Sequence, residues 1–144
     1  MASVKQVQVA FDCAQPERVG RFWCEVLGYV APPPPEGFAS WDDYHRSLPP
    51  EDQDSWFACS DPSGVGPRLY FQRVPEGKVV KNRVHLDVRV ATGLVGEQRL
   101  ATLQAESARL VALGAVQVRV LLADEDNESI IVMQDIEGNE FDLD

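Results

Sequence analysis

Pro16-Glu17-Arg18-Val19-Gly20-Arg21-Phe22-Trp23-Cys24-Glu25-Val26-Leu27-Gly28 decides how the rest of the chain is read. A proline suited to the first turn of a helix opens it. Val19, Phe22, Trp23, Val26 and Leu27 then recur at the spacing of one helical face, and Gly28 supplies a C-terminal stop. A second predicted helix, about Glu97 to Leu113, carries Leu100, Leu103, Leu110 and Val111 on one face and ends at Gly114. An alternating run precedes each helix. In Val4 to Phe11 the residues Val7, Val9 and Phe11 point one way and Gln6, Gln8 and Ala10 the other; Val84 to Val90 alternates likewise.

The segments after the helices also match. Tyr29 to Ala31 can open a strand, but Pro32 to Pro35 then removes successive backbone donors and forces an extended path. The stretch from Pro32 to Asp54 is expected to hold one short helix around Ser40 to Leu48. Ser55 to Cys59 and Arg68 to Val74 read as a hairpin joined at Asp61-Pro62-Ser63-Gly64. After the second helix come Val116 to Leu122, Ser129 to Gln134 and Asn139 to Leu143, with an acidic turn at Asp124 to Glu128. The order strand, helix, three strands therefore occurs twice. Leu27-Gly28 is matched by Leu113-Gly114, and Asp61-x-x-Gly64 by Asp135-x-x-Gly138, which a duplicated unit explains. The expectation is an α+β chain forming a single domain over 1–144, with one βαβββ module at about 1–76 and a second at about 82–144.

Composition narrows the partners. At 144 residues, 44% of them hydrophobic, the chain is long enough to bury one sizeable core. A formal charge of -10 without any block of Lys or Arg would repel a phosphate backbone, so no nucleic acid partner is expected. The N-terminal run lacks the basic flank and long apolar stretch of a signal peptide, and no segment has the unbroken apolar length of a membrane span. A cytoplasmic protein with no membrane partner is the expectation. Cys13, Cys24 and Cys59 show no CxxC spacing and read as reduced thiols, neither a disulfide framework nor a zinc site. Phosphate loops, Gly-x-Ser-x-Gly elbows and His-Glu-x-x-His helices are absent from the sequence, so covalent catalysis is not indicated and no catalytic residue is assigned.

Phe22-Trp23 with Leu27-Gly28-Tyr29, then Asn82-Arg83-Val84-His85-Leu86-Asp87, then Glu137-Gly138-Asn139-Glu140-Phe141 follow one another in an order that resembles the glyoxalase/bleomycin-resistance/extradiol-dioxygenase (vicinal oxygen chelate) superfamily, in its glyoxalase-like branch. The resemblance covers essentially the whole chain. It implies two βαβββ modules with curled mixed sheets around a shared cavity, and a homodimer. In metal-dependent members of the superfamily, a divalent ion is ligated from the first and last strand of each module. Carried over, those positions fall on Gln8, His85 and Asp142, with Tyr70 in the remaining place and Gln72 next on the same strand face. A metal site of Gln8, His85 and Asp142 offers one carboxylate, one imidazole and a neutral amide oxygen, which compensates a divalent charge poorly.

Two functional classes follow from the resemblance. The first is a small-molecule binding protein acting by sequestration, as resistance members do, with a ligand pocket rimmed by Gln8, Tyr70, Gln72, His85 and Asp142. The alternative is a divalent-metal-dependent lyase, isomerase or dioxygenase acting on a small oxygen-bearing substrate. A partner-binding module with a filled cavity is a third reading, since a fold does not fix a function. Each singled-out residue also has a plainer role: His85 as a hydrogen-bonded core histidine, Asn139 and Glu140 as turn residues, Asp144 as a surface acid. Trp41, Tyr44, His45 and Trp56 either line a pocket for a planar ligand or pack onto the sheet.

Overall fold

Side-chain alternation determines which face of each sheet is buried in the computed structural model, which describes residues 2–144. The chain divides into two compact units, one ending at Gly77 and the other running from Lys78 to Asp144. In the first, β1 (Val9–Cys13), α1 (Pro16–Leu27), α2 (Trp41–Ser47), β2 (Trp56–Cys59) and β3 (Leu69–Arg73) form a three-stranded mixed sheet with two helices. The strand order is β1-β3-β2, with β1 parallel and β2 antiparallel to β3.

Phe11, Phe57 and Phe71 point from this sheet toward α1. Phe11 lies 5.2 Å from Trp23 and 4.9 Å from Phe71 between ring centroids. Val19, Phe22, Trp23 and Val26 are buried on the face of α1 that their spacing marks. Each fully buried side chain of this size contributes about 1.5–3 kcal/mol relative to exposure. Gly28 stops the helix in a left-handed conformation, φ 69°, and the Tyr29 N–H closes back onto the Cys24 carbonyl.

Two expectations for this unit shift. The first strand begins at Val9, not Val4, because its partner β3 starts at Leu69, which pairs with Val9; among the described residues before it none pairs with a strand, and Val7 is 71% exposed. Tyr29 to Ala31 yields a single antiparallel bridge, Val30 to Ser60, as the prolines that follow remove the donors a strand would need. The short helix α2 forms as expected, with the Ser40 hydroxyl accepting from the Asp43 N–H at 3.0 Å.

The second unit holds β4 (Leu86–Val88), α3 (Gly96–Ala112), β5 (Val116–Leu121), β6 (Ile130–Gln134) and β7 (Glu140–Leu143). Its sheet order is β4-β7-β6-β5, parallel only between β4 and β7. β4 is shorter than its alternating run and pairs with β7 from Leu86 opposite Phe141 to Val88 opposite Leu143. Leu103, Leu110, Ile131, Met133, Phe141 and Leu143 are fully buried in this unit.

The buried stripe of α3 differs from the expected one. Val111 is 46% exposed, and the stripe runs Arg99, Leu103, Ser107, Leu110. A guanidinium survives burial only with its donors used. Arg99 Nε donates to the Ser129 carbonyl at 2.9 Å, Nη1 to the Ala91 carbonyl at 3.3 Å, and Nη2 to the Asp144 carboxylate. Asp144, expected at the surface, is therefore the charge partner of a buried arginine.

The paired Asp-x-x-Gly landmarks form the same turn. Gly64 N–H donates to the Asp61 carbonyl and Gly138 N–H to the Asp135 carbonyl, each at 3.0 Å. Each aspartate also accepts the N–H two residues on, from Ser63 at 2.7 Å and Glu137 at 2.9 Å. With curled mixed sheets in both units, the α+β expectation holds. Among the described residues no helix is long and apolar enough to cross a membrane.

Candidate functional site

The register of β1 against β3 sets Ala10 opposite Tyr70 and Asp12 opposite Gln72. Two residues earlier, Gln8 falls beside Arg68, where the Val9 N–H donates to the Arg68 carbonyl. Because strand side chains alternate, Gln8, Tyr70 and Gln72 share the sheet face turned away from α1. Three of the expected pocket residues are thus brought together within the first unit. Each glutamine already has one amide atom partnered. Arg68 Nη1 donates to Gln8 Oε1 at 2.6 Å, and Gln72 Nε2 donates to Asp12 Oδ1 at 2.7 Å. The amide oxygen that the resemblance offers to an ion is held by a guanidinium, which repels a cation.

Aromatic rings complete this face. Tyr70 stacks on Trp56 at 6.1 Å and 14°, and the Arg68 guanidinium carbon lies 5.6 Å from the Tyr70 ring centre. Trp41, from α2, meets Trp56 edge-on at 5.4 Å, anchored by its Nε1–H to the Pro32 carbonyl at 2.9 Å. Trp41 thus packs α2 against the sheet, while Trp56 and Tyr70 stay half-buried. His45 accepts the Asp54 N–H at Nδ1, and its Nε2 is buried without a hydrogen-bond partner. An open cleft of about 580 Å³ lies beside the Gln8 to Arg68 pair, lined further by Gln6, Ser60, Asp61 and Val65.

The second unit repeats the register with different side chains. β4 sets Asp87 opposite Asp142 on β7, and His85 precedes Asp87 by two residues on the same face, away from α3. His85 Nδ1 lies 3.0 Å from Asp87 Oδ1 and 3.7 Å from Asp142 Oδ2. Ligand atoms of all three residues fall within 4.8 Å of one another. Burial pushes the Asp142 carboxyl above the usual aspartate range; His85 opposes this and the neighbouring Asp87 charge reinforces it. Glu140, two residues before Asp142, accepts from the Asn82 N–H at 3.0 Å and pairs with Lys78 at 3.0 Å, so its carboxylate is committed.

His85 and Asp142 are thus adjacent, as the resemblance implies, but their third companion is Asp87. Asp87 closes the motif that begins at Asn82, and the resemblance gives it no role. The two-residue spacing from His85 on an alternating strand was the signal that finds it. One imidazole and two carboxylates suit a divalent cation better in charge than the expected set with Gln8.

A search of curated protein sequences finds no match. Among solved structures, a mutant of the genomically encoded fosfomycin resistance protein FosX from Listeria monocytogenes, complexed with Mn(II) and 1S,2S-dihydroxypropylphosphonic acid, is similar with a TM-score of 0.62 at 10% identity, over 99% of this chain and 90% of that one. A glyoxalase/bleomycin resistance protein/dioxygenase family enzyme from Burkholderia phytofirmans PsJN matches with a TM-score of 0.60 at 12% identity, over 94% of each chain. TioX from Micromonospora sp. ML1 matches with 0.53 at 14%, over 97% of each chain. At such identities the likeness carries the fold alone. The profile of the Glyoxalase-like domain family matches residues 8–143, which takes in every strand and helix described above. The chain belongs to the Glyoxalase-like domain family, within the vicinal oxygen chelate superfamily.

Proposed function

We propose that this protein binds a small, oxygen-bearing organic molecule and acts by sequestering it, as a cytoplasmic homodimer. The observation that carries the reading is the Trp56 and Tyr70 stack on the open face of the first sheet, flanked by the Gln8 to Arg68 and Gln72 to Asp12 pairs. Half-buried rings offer a planar ligand stacking worth about 0.5–1.5 kcal/mol per aromatic pair beyond area burial. Arg68 adds donors for an acidic or carbonyl oxygen. The fosfomycin-resistance neighbour, solved with a small phosphonic acid, supports a ligand of this size. The location and the dimer rest on the sequence patterning and on the superfamily resemblance.

A second reading, a metal-dependent lyase, isomerase or dioxygenase, is favoured by one specific observation, the His85, Asp87 and Asp142 group. These three residues would hold the ion, and the FosX neighbour complexed with Mn(II) supports the comparison. When bound, a divalent ion supplies Lewis-acid polarisation of a substrate oxygen. The chain's own share is two carboxylate charges and an imidazole placed to orient that oxygen.

One experiment separates the two. The protein, purified without chelator, is examined by native mass spectrometry for co-purifying molecules and by thermal melting with Mn(II), Fe(II), Co(II), Ni(II) and Zn(II), beside Trp56→Ala and His85→Ala. A co-purifying organic molecule lost only in Trp56→Ala supports sequestration. A metal-dependent rise in melting temperature lost only in His85→Ala supports the enzyme, since a ligand selective for the native state stabilises it. An organic molecule retained in full by Trp56→Ala would remove the aromatic face from the argument.

A further inference from the structure

α1 crosses β2 more closely than an ordinary helix and strand. A Cβ built on Gly20 would lie 2.1 Å from Phe57 Cδ1, so only glycine admits this approach. One residue on, the Arg21 guanidinium carbon sits 5.5 Å from the Phe57 ring centre. From this contact the two elements run in step. Four helical residues rise about 6 Å, and two strand residues about 6.6 Å. Gly20 plus one turn is Cys24, and Phe57 plus one full strand repeat on the same face is Cys59. Cys24 and Cys59 therefore face one another across this crossing, near enough for their thiols to influence each other.

The members of this pair differ. Cys59 is fully buried, whereas Cys24 is half-buried at the end of α1. The Cys59 contact draws the Cys24 thiol below its ordinary range, against the effect of burial, and Arg21 adds to the lowering. Cys59 is raised correspondingly, first by that same contact and then by burial. A disulfide usually bridges Cα atoms about 4.4–6.8 Å apart, and the close approach at Gly20 draws helix and strand together one turn and one strand repeat before this pair. Cys13, on the first strand, instead donates to the Gln72 carbonyl at 3.5 Å.

We propose that Cys24 and Cys59 form an oxidation site, in which Cys24 reacts with a hydroperoxide and Cys59 resolves the product to a reversible disulfide. The Cys24 thiolate attacks one peroxide oxygen; an S–O bond forms, the O–O bond breaks, and hydroxide or alkoxide leaves to take up a proton. The Cys59 sulfur, giving its proton to the departing hydroxide, attacks the Cys24 sulfenic acid. An S–S bond forms, the S–O bond breaks and water leaves. Two electrons pass from the thiols to the peroxide, and with hydrogen peroxide the products are one disulfide and two waters.

The test treats the folded full chain with stoichiometric hydrogen peroxide, alkylates the remaining thiols and maps peptides without reductant. The expected map links the Cys24 and Cys59 peptides, leaves Cys13 alkylated, and reverts with dithiothreitol. In Cys59→Ala, Cys24 should be captured as a sulfenic acid by dimedone; Cys24→Ala should give no disulfide and an unmodified Cys59. Circular dichroism of each variant checks that it is folded, and the wild-type map does not depend on either. Overturning results are a wild-type map in which Cys24 is alkylated or over-oxidised without the Cys59 link, or one in which the link runs through Cys13.

Discussion

The open faces of the two sheets have one backbone and opposite electrostatics. In the first, Gln8 and Ala10 run beside Arg68 and Tyr70; in the second, His85 and Asp87 run beside Glu140 and Asp142, in the same parallel register. The first face is aromatic, with Gln8 bonded to a guanidinium. The second gathers an imidazole and two carboxylates within 4.8 Å. A duplicated backbone thus fixes where chemistry can stand and leaves its sign to a few side chains. Ala10 and Tyr70, where the second unit has Asp87 and Asp142, leave the first face without a carboxylate at those places.

The sharpest way to break the parallel is at the turns. Asp61 and Asp135 make the same bonds in different surroundings: Asp135 is 2% exposed, and its carboxylate also accepts the Asn139 N–H at 2.9 Å. Asp135→Ala removes a buried acceptor from the part-buried Glu137 and Asn139 N–H groups, at about 1–3 kcal/mol each, so a loss of about 3 kcal/mol is expected. Asp61→Ala frees groups that water can reach, and the loss should be clearly smaller. Urea unfolding of both variants measures this, and equal losses would mean that burial does not distinguish the turns.

A smaller effect separates the helices. The buried stripe Val19, Trp23, Val26 of α1 is echoed in spacing by Leu103, Ser107, Leu110 of α3, so the second unit has a serine where the first has an indole. Ser107 Oγ lies 2.8 Å from Gln117 Oε1, to which it donates. α1 seats its larger side chains partly by coming close to β2 at Gly20. Gly20→Ala adds a methyl inside contact distance of a buried ring and should cost about 1–3 kcal/mol despite alanine's better helix propensity. Thermal melting checks it. A neutral or stabilising outcome would show that Phe57 moves aside freely and that the close crossing is not needed.

Much of this was legible in the sequence because period and punctuation agreed. The α1 stripe, the short α2, both Asp-x-x-Gly turns and the succession of most strands and helices along the chain can be read from spacing alone. What was not legible depended on partners far along the chain. Val4 to Gln8 alternates like a strand, but nothing in a sequence reveals that β3 begins opposite Val9. Val111 fits an apolar helical face, yet the stripe is set by Arg99, whose burial makes sense only once Ser129, Ala91 and Asp144 are in place. In the site, Gln8 lies on the face that alternation gives it, but its Arg68 partner, sixty residues on, is invisible in the sequence. Asp87 was legible in principle from the alternation that singled out His85.

The smallest effect concerns the sign of the charge at Asp142. Its folded-state pKa is raised, so the folded protein holds that proton more tightly than the unfolded chain. The associated stability is fully present below the unfolded value, near 3.8, and is lost as pH rises through the folded one. At neutral pH the ionised, largely buried carboxylate is therefore a slight liability. Asp142→Asn should melt slightly higher than wild type at pH 7 in chelator, and the difference should close as pH falls toward the ordinary aspartate range. Asp61, Asp124 and Glu140, which are lowered, act in the opposite direction with pH, but they are common to both proteins and cancel in the comparison. Added Mn(II) should reverse the order, because a cation uses the charge that burial penalises. A variant that melts below wild type in chelator at pH 7 would instead mean that His85 already compensates Asp142, and would make the second face as internally paired as the first.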